Sequence, residues 1–96
     1  VRQLATAYGP RGVTAHLVAP GPADTPRLRA LCLQAAEGRG VPVDVVLAER
    51  AAESPLGRLV TPAEVAWAVA TLLAPEAAAL DGSALALDVG ARRGIF

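Results

Sequence analysis

The chain has 96 residues, of which nine are acidic and nine are basic, so its formal net charge is zero. This balance provides no overall field that would favour nucleic acid or an anionic membrane surface. The single cysteine, Cys32, excludes an internal disulfide and a cysteine-rich zinc site, and it predicts a free thiol in a reducing compartment. No run is apolar enough to span a bilayer, and the first residues lack the pattern of a secretory signal, so we expect a cytoplasmic protein.

The chain opens with a helix end, a turn and a buried strand. Residues Val1–Tyr8 have a helical pattern, and we expect Gly9 to close that helix in the left-handed conformation. An apolar strand follows over Val13–Ala19 and stops at Pro20-Gly21, because proline and glycine interrupt regular structure more strongly than other residues. His16 lies in the middle of this strand, where we expect a hydrogen-bonded structural histidine rather than a general base.

Two helical patterns come after the strand. The first, over Pro26–Ala36, places Leu28, Leu31, Cys32 and Ala35 on one face. The second runs over Val43–Ala52 and ends in the turn-rich segment Ser54–Leu59. Two helices between a loop and a turn of this kind are typical of a lid over a ligand pocket, here residues 26–59. Arg27 and Arg29 could meet an acidic substrate group, although a solvated helix face is the simpler interpretation.

The segment Thr61-Pro62-Ala63-Glu64 predicts the start of a third long helix. Its threonine, proline and glutamate have the spacing of a capping box with proline at the first helical position. The helix continues toward Pro75 with an apolar stripe, beside which Trp67 is predicted to be a packing or interface residue. The stripe consists of Val65, Val69, Leu72 and Leu73.

A second strand is predicted over Ser83–Gly90, after an Asp81-Gly82 turn. Large residues on one face alternate with alanines on the other: Leu85, Leu87 and Val89 against Ala84 and Ala86. Asp88 is the only charged residue in this strand, and we expect it to accept hydrogen bonds near the strand end. The remaining tail is expected to be loosely held except at Ile95 and Phe96.

The order of elements predicts an α/β fold. Two strands separated by a long helical crossover should be parallel with a right-handed connection, and parallel strands need helices on both faces. Two strands cannot form such a sheet alone. The apolar fraction of 53% leaves exposed apolar surface on so short a chain, and such surface usually marks an interface. Together with the first residue, Val1, this predicts part of a larger fold.

Four motifs, in order and spacing, resemble the short-chain dehydrogenase/reductase family, most closely its 3-oxoacyl-carrier-protein-reductase-like members. They are Tyr8-Gly9-Pro10-Arg11-Gly12-Val13, Pro20-Gly21 with Thr25, Pro55-Leu56-Gly57-Arg58-Leu59 with the helix start at Thr61, and Asp81-Gly82 with Leu87-Asp88-Val89-Gly90. The resemblance implies the C-terminal portion of a Rossmann-type doubly wound parallel sheet, with its last two strands and crossover helices. Residues 1–96 would then form the C-terminal fragment of one such domain.

The resemblance also implies where a cofactor would lie. In this family the loop after the strand holds the nicotinamide end of NAD or NADP, which places Pro20, Gly21, Ala23 and Thr25 at the cofactor. The glycine-rich phosphate loop, the catalytic serine and the Tyr-x-x-x-Lys pair of the family are absent from this chain, so we assign no catalytic and no metal-binding residue. Tyr8 has no lysine one helical turn on and is expected to be a surface or packing residue.

Two residues depart from the family pattern. Asp81 stands where threonine is usual, and Val89 replaces the first of two glycines. Both are expected to alter the last turn or the subunit contacts. The resemblance supplies no information about the substrate or about the choice between NAD and NADP.

Three functions remain open from the sequence. The first is a segment of an NAD(P)-dependent oxidoreductase acting on a small carbonyl or alcohol substrate, which is not catalytic alone and forms a dimer or tetramer when complete. The second is a short non-catalytic protein that complements or binds a partner. The third is an inactive truncated remnant. None of them involves nucleic acid or a membrane.

Overall fold

The structure is a computed structural model, and it describes residues 1–90. Two four-residue strands form a parallel pair in which Leu17 lies opposite Ala84 and Pro20 opposite Leu87. The elements are helices α1 (Arg2–Tyr8), α2 (Pro26–Arg39), α3 (Val43–Ala52) and α4 (Pro62–Leu72), strands β1 (Leu17–Pro20) and β2 (Ala84–Leu87), and 3-10 helices Gly9–Arg11 and Pro75–Leu80. This order confirms the predicted parallel pair with a helical crossover. The tail predicted to be held at Ile95 and Phe96 lies outside the described residues.

The turn after α1 differs from the prediction. Gly9 has a φ of −52° and continues into the short 3-10 helix, so it does not close α1 in the left-handed conformation. That conformation occurs three residues later at Gly12, with a φ of 78°. The physical reason is Pro10, whose fixed φ suits a 3-10 turn and carries the helical path through to Arg11.

The first strand is shorter than the sequence predicted. Regular pairing begins at Leu17, yet Ala15 is already fixed by two hydrogen bonds from the turn before β2. Its N–H donates to the Asp81 Oδ1 atom at 2.8 Å, and its carbonyl accepts the N–H of Gly82 at 2.8 Å. Asp81, which replaces the threonine usual in the family, therefore ties the entry of β1 to the turn that leads into β2.

The structure contradicts the prediction for His16. Both ring nitrogens are buried, and neither has a hydrogen-bond partner in the described part of the chain. The side chain is therefore not the hydrogen-bonded structural histidine expected from the sequence. Histidine nitrogens are strong donors and acceptors, and leaving both buried without a partner is costly.

Helices α2 and α3 form an antiparallel hairpin with its own small core. Cys32 and Ala36 of α2 pack on Val46 of α3, and all three are buried. Gly40, with a φ of 66°, ends α2 in the left-handed conformation and starts the tight connection. The buried face of α2 differs from the predicted one because α3 packs against the Cys32 and Ala36 positions. Of the predicted face, Leu31 and Ala35 are exposed.

Helix α4 begins as the sequence predicted. The Thr61 hydroxyl accepts the N–H of Glu64 at 3.1 Å, while a Glu64 carboxylate oxygen accepts the N–H of Thr61 at 2.9 Å. The buried residue of α4 is Ala68, whereas Val69 is 47% exposed and Leu73 is 82% exposed. Half of the predicted apolar stripe thus faces away from β1 and β2, since two strands are too narrow to cover it.

The second strand ends earlier than predicted, because Val89 has a φ of 49° and leaves the extended conformation. The N–H of Gly90 donates to the Asp88 Oδ1 atom at 3.1 Å, which confirms that Asp88 accepts a hydrogen bond near the strand end. Val89 is the residue that replaces a family glycine, and its left-handed backbone explains why glycine suits this position.

The chain is more open than an independent domain of its size. Its accessible surface is 6667 Å², whereas a compact monomer of its mass exposes about 5,100 Å². Its radius of gyration is 17.0 Å, against roughly 12–13 Å for a compact domain. The exposed apolar area predicted from composition is therefore present.

Candidate functional site

The loop after β1 is fixed by a residue far along the chain. Ala23 and Val60 form an isolated parallel bridge. The N–H of Asp24 donates to the Val60 carbonyl at 2.7 Å, and the N–H of Val60 donates to the Pro22 carbonyl at 3.0 Å. Val60 itself is 1% exposed. The loop is thus held by two short backbone hydrogen bonds to a buried anchor.

This bridge determines the direction of the Ala23 backbone. In a parallel bridge the hydrogen bonds to Val60 come from the two neighbours of Ala23, so the N–H and C=O of Ala23 face the opposite side. Within residues 1–90, neither of these two groups has a hydrogen-bond partner. Ala23 therefore presents one donor and one acceptor, side by side on a rigid backbone, to a group outside the described chain.

Thr25 lies two residues further on and caps α2. Its Oγ1 atom accepts the N–H of Leu28 at 3.2 Å, and Pro26 occupies the first helical position. The hydroxyl proton is not used in this bond and is free to donate to another group. The structure thus gives Thr25 a structural role that the sequence analysis did not assign, and it leaves a donor two residues from the free groups of Ala23.

Gly21 is needed for close approach of the two strand ends. A Cβ atom placed on Gly21 would lie 2.8 Å from the Cβ and 3.0 Å from the Cα of Asp88. The N–H of Gly21 also donates to the Leu87 carbonyl at 2.9 Å, which extends the strand pairing beyond Pro20. Pro20 and Gly21 are therefore where the loop leaves the sheet, and the structure explains this glycine by packing alone.

The charges around the loop are paired. Arg29 of α2 makes a bidentate contact with Asp24, at 2.7 and 3.0 Å. This hydrogen-bonded guanidinium holds the pKa of the Asp24 carboxyl below its usual value, and the carboxylate raises the pKa of Arg29. Both groups are exposed, so the pair fixes the start of α2 more than it stabilises the fold. Of the two arginines considered for an acidic substrate, Arg29 already has an anionic partner.

A second bidentate pair lies at the start of α4. Arg58 contacts both Glu64 carboxylate oxygens, at 2.7 and 2.8 Å. These hydrogen bonds, followed by those from Thr61, lower the pKa of Glu64 to about 2. An open cleft of about 420 Å³ lies beside Asp24, Arg29 and Arg58, with α3 along one side. Of the loop that follows β1, Asp24 lines this cleft, and the rest of the lining belongs to α2, α3 and residues 57–61.

The four predicted cofactor residues lie in one short segment, which runs from Pro20 at the end of β1 to Thr25 at the N-cap of α2. The sequence reasoning missed two further residues with structural roles near this segment. Val60 anchors the loop, and the only signal for it was a β-branched residue immediately before the Thr61 cap. Ser54 is buried, and its hydroxyl donates to the Val89 carbonyl at 2.6 Å. Within residues 1–90, no group of three or more His, Cys, Asp or Glu side chains is placed to hold a metal ion. In that same range, no helix has the length and apolarity needed to cross a membrane.

The parallel strand pair, its helical crossover and the loop that leaves β1 define a segment of a Rossmann-type α/β protein. A family model described as enoyl-(acyl carrier protein) reductase matches residues 1–92. The chain belongs to the short-chain dehydrogenase/reductase family. The predicted family and fold class are thereby confirmed.

Individual proteins agree with this assignment. The chain is 39% identical over 89 residues to the short-chain reductase protein NovJ of Streptomyces niveus, and 40% identical over 89 residues to a cis-4-hydroxycyclohexanecarboxylate dehydrogenase of Sinomonas cyclohexanicum. Each match covers 93% of this chain, but only 32% and 31% of the relative. A solved structure of an actinorhodin polyketide ketoreductase variant with NADPH superposes with a TM-score of 0.82 at 31% identity, covering 94% of this chain and 34% of that one. The chain therefore spans about a third of the length of the proteins it matches.

Proposed function

We propose that this chain is the C-terminal segment of an NAD(P)-dependent short-chain oxidoreductase and that its Pro20–Thr25 loop holds the nicotinamide end of the cofactor. One observation carries the proposal. The N–H and C=O of Ala23 point away from the Val60 bridge and have no partner among residues 1–90, and the Thr25 hydroxyl has a free proton close by. A carboxamide needs both a donor and an acceptor, so the residues present fit that group.

Each loop residue has a part in this proposal. Ala23 supplies the backbone donor and acceptor, and Thr25 adds a hydroxyl donor. Pro20 and Gly21 end the strand and set the position of the loop against the end of β2. When bound, the cofactor would donate the hydride in a reduction or accept it in an oxidation. The chain has no lysine, and its one tyrosine, Tyr8, lies in α1 rather than in this loop, so the acid for the reaction comes from elsewhere in the intact protein.

The substrate proposal rests on the family and on the helical hairpin. Two relatives are a ketoreductase and a dehydrogenase of a hydroxyl compound by name, and we propose a small carbonyl or alcohol substrate for the intact protein. Residues 26–59, with α2 and α3, form the substrate lid, because they leave the loop that follows β1 and return to that loop at the Ala23–Val60 bridge. The lone buried Cys32 thiol suits a reducing compartment, which supports a cytoplasmic location.

The proposal extends to assembly. Val69 and Leu73, four residues apart, give one side of α4 an apolar outer face, whereas Trp67, which is 67% exposed, lies on another side. Such a face supports a dimer or tetramer of the complete protein, because apolar patches of this kind are usually covered by other chains or elements.

Calorimetric titration tests the function. The full-length protein is expected to bind NADH or NADPH, whereas the 96-residue chain alone binds neither measurably, because it lacks the phosphate-binding loop. Micromolar binding by the isolated chain would contradict the proposal that this segment holds only the nicotinamide end of the cofactor. No binding of either cofactor by the full-length protein would refute the proposed function and favour a non-catalytic interaction protein or an inactive remnant.

A further inference from the structure

The turn at the end of β2 holds an unfavourable backbone conformation. Val89 has a φ of 49°, and it is the one non-glycine residue with positive φ in the described part of the chain. A β-branched side chain in the left-handed region is strained by roughly 1–3 kcal/mol and persists only where the surroundings impose it. The N–H of Gly90 donates to the Asp88 Oδ1 atom at 3.1 Å, and this hydrogen bond closes the turn around Val89.

One buried side chain supports this strained turn. The Ser54 hydroxyl donates to the Val89 carbonyl at 2.6 Å, across 35 residues of sequence. The same oxygen accepts the N–H of Leu56 at 3.0 Å, so it joins the turn after α3 to the end of β2. Ser54 is 7% exposed, and within residues 1–90 it is the single polar side chain that is buried.

A second contact joins the same two segments, the turn after α3 and the end of β2. Gly90 has a φ of 85°, and a Cβ atom placed there would come within 3.4 Å of the Pro55 ring. The segment after α3 therefore rests on two consecutive left-handed residues of the β2 end. This segment is also where the lid region 26–59 returns toward the sheet, just before Val60.

We propose that Ser54 is a positioning residue of the lid. By holding Val89 in its left-handed conformation, Ser54 fixes the segment Ser54–Leu59, the C-terminal hinge of the lid, to the end of β2. The effect that we expect on the substrate KM rests on the proposed function, because the lid contacts a substrate only if the intact protein is an oxidoreductase. The structural part of the inference depends on the Ser54–Val89 contact alone. Without the hydroxyl, the turn can relax to a more common backbone conformation, and the hinge loses its support.

A double-mutant cycle in the full-length protein tests the structural part. In the wild-type background Ser54→Ala is expected to raise the unfolding equilibrium constant by only about two- to fivefold, because relaxation of the strained Val89 turn offsets part of the lost hydrogen bond. In a Val89→Gly background the same change is expected to cost about five- to fiftyfold, since glycine keeps the left-handed turn without strain and the full hydrogen bond is lost. Equal costs in the two backgrounds would overturn the proposal.

Ser83→Ala provides a matched control, because the chain has two serines and the hydroxyl of Ser83 makes no hydrogen bond in the described residues. It is expected to change stability little in either background. A Ser83→Ala effect as large and as dependent on Val89 as that of Ser54→Ala would show that the coupling is not specific to the hinge, and would overturn the proposal.

Steady-state kinetics of the full-length enzyme test the positioning role. Ser54→Ala is expected to raise the KM for the carbonyl or alcohol substrate by about three- to tenfold, with the KM for the cofactor nearly unchanged. Adding Val89→Gly is expected to restore most of the substrate KM, which loss of general stability would not do. An unchanged substrate KM would refute the positioning role. If the wild-type protein shows no turnover, the proposed function fails, and the unfolding cycle still decides whether Ser54 holds Val89.

Discussion

The α2–α3 hairpin and the strand pair differ in how far their apolar side chains are buried. In the hairpin, α2 and α3 bury Cys32, Ala36 and Val46 against each other, so its small core is complete within the chain. In the strand pair, no residue of β1 or β2 is fully buried. The hairpin is thus closed on itself, whereas the strands are open to whatever lies beside them in the intact fold.

This difference explains how a short segment can carry a defined site. The strands and α4 need other elements of a Rossmann-type sheet for burial. The loop after β1 is nevertheless fixed locally, because the Ala23–Val60 bridge joins the two ends of the segment that contains α2 and α3. We infer that backbone pairing shapes the loop and that apolar burial shapes the hairpin. Substitutions in the two regions should therefore have separable effects.

The largest effect is expected for Gly21→Ala, on the strand side. The new methyl group would lie 2.8 Å from the Cβ and 3.0 Å from the Cα of Asp88, so the ends of β1 and β2 must separate. We expect a loss of about 2–3 kcal/mol of unfolding free energy in the full-length protein, at the upper end for overpacking, and weaker cofactor binding. Denaturant unfolding and calorimetric titration measure the two effects.

Gly38→Ala is the matched control. Gly38 lies inside α2, and nothing lies within 4 Å of a Cβ atom placed there. Alanine should raise stability by about 0.5–1 kcal/mol, since it is the better helix former. If Gly21→Ala behaved like Gly38→Ala, the close approach of the strand ends would not be a constraint on the loop.

A slightly smaller effect is expected for Ala36→Leu, on the hairpin side. Ala36 is 1% exposed between α2 and α3, and the larger side chain should cost about 1–3 kcal/mol by overpacking. Hydrogen exchange should show faster opening of α2 and α3 with little change at β1, and cofactor affinity should stay nearly constant. The exposed neighbour Ala35→Leu serves as control and should change neither quantity. Loss of protection in β1 along with the hairpin would show that the two regions are not independent.

The smallest effect concerns pH and the Arg58–Glu64 pair. The folded pKa of Glu64 is about 2, below its ordinary value of 4.5, because of the hydrogen bonds from Arg58 and then Thr61. Its contribution to stability is therefore complete above pH 4.5 and disappears as the pH falls from there toward 2. Acid titration of unfolding should show a smaller loss over this window for Glu64→Gln than for wild type. Identical pH profiles would mean that the exposed pair adds nothing measurable.

Sequence reasoning succeeded where the signal was local. The Thr61 capping box, the two hairpin helices and the parallel pair were all predicted. The predicted apolar face of α2 was right at Leu28 and Cys32, which lie in or against the hairpin core. It was wrong at Leu31 and Ala35, which are exposed, because contact with α3 determines which side of α2 is buried. The left-handed Val89 could not be foreseen, since valine favours strands and only the distant Ser54 holds it there. Tertiary pairing across the chain accounts for these differences.

Thr25 shows a different kind of omission. Thr25-Pro26 has the same helix-start signature as Thr61-Pro62, and both threonines cap a helix. The sequence analysis assigned Thr25 only to the cofactor, yet its hydroxyl oxygen accepts a hydrogen bond from the helix, and its proton is left for the proposed cofactor contact. Removing it should therefore cost about 0.5–2 kcal/mol of stability as well as affinity.

The most direct test of the account compares Thr25→Val with Thr61→Val in the full-length protein by calorimetric titration with NADH and NADPH. Each change removes a helix cap, but only Thr25 lies beside the free backbone groups of Ala23. We predict that Thr25→Val weakens the affinity for the better-bound cofactor by about three- to hundredfold, that Thr25→Ser retains most of it, and that Thr61→Val leaves it unchanged. Equal cofactor affinity for wild type and Thr25→Val would contradict the assignment of the Pro20–Thr25 loop to the nicotinamide.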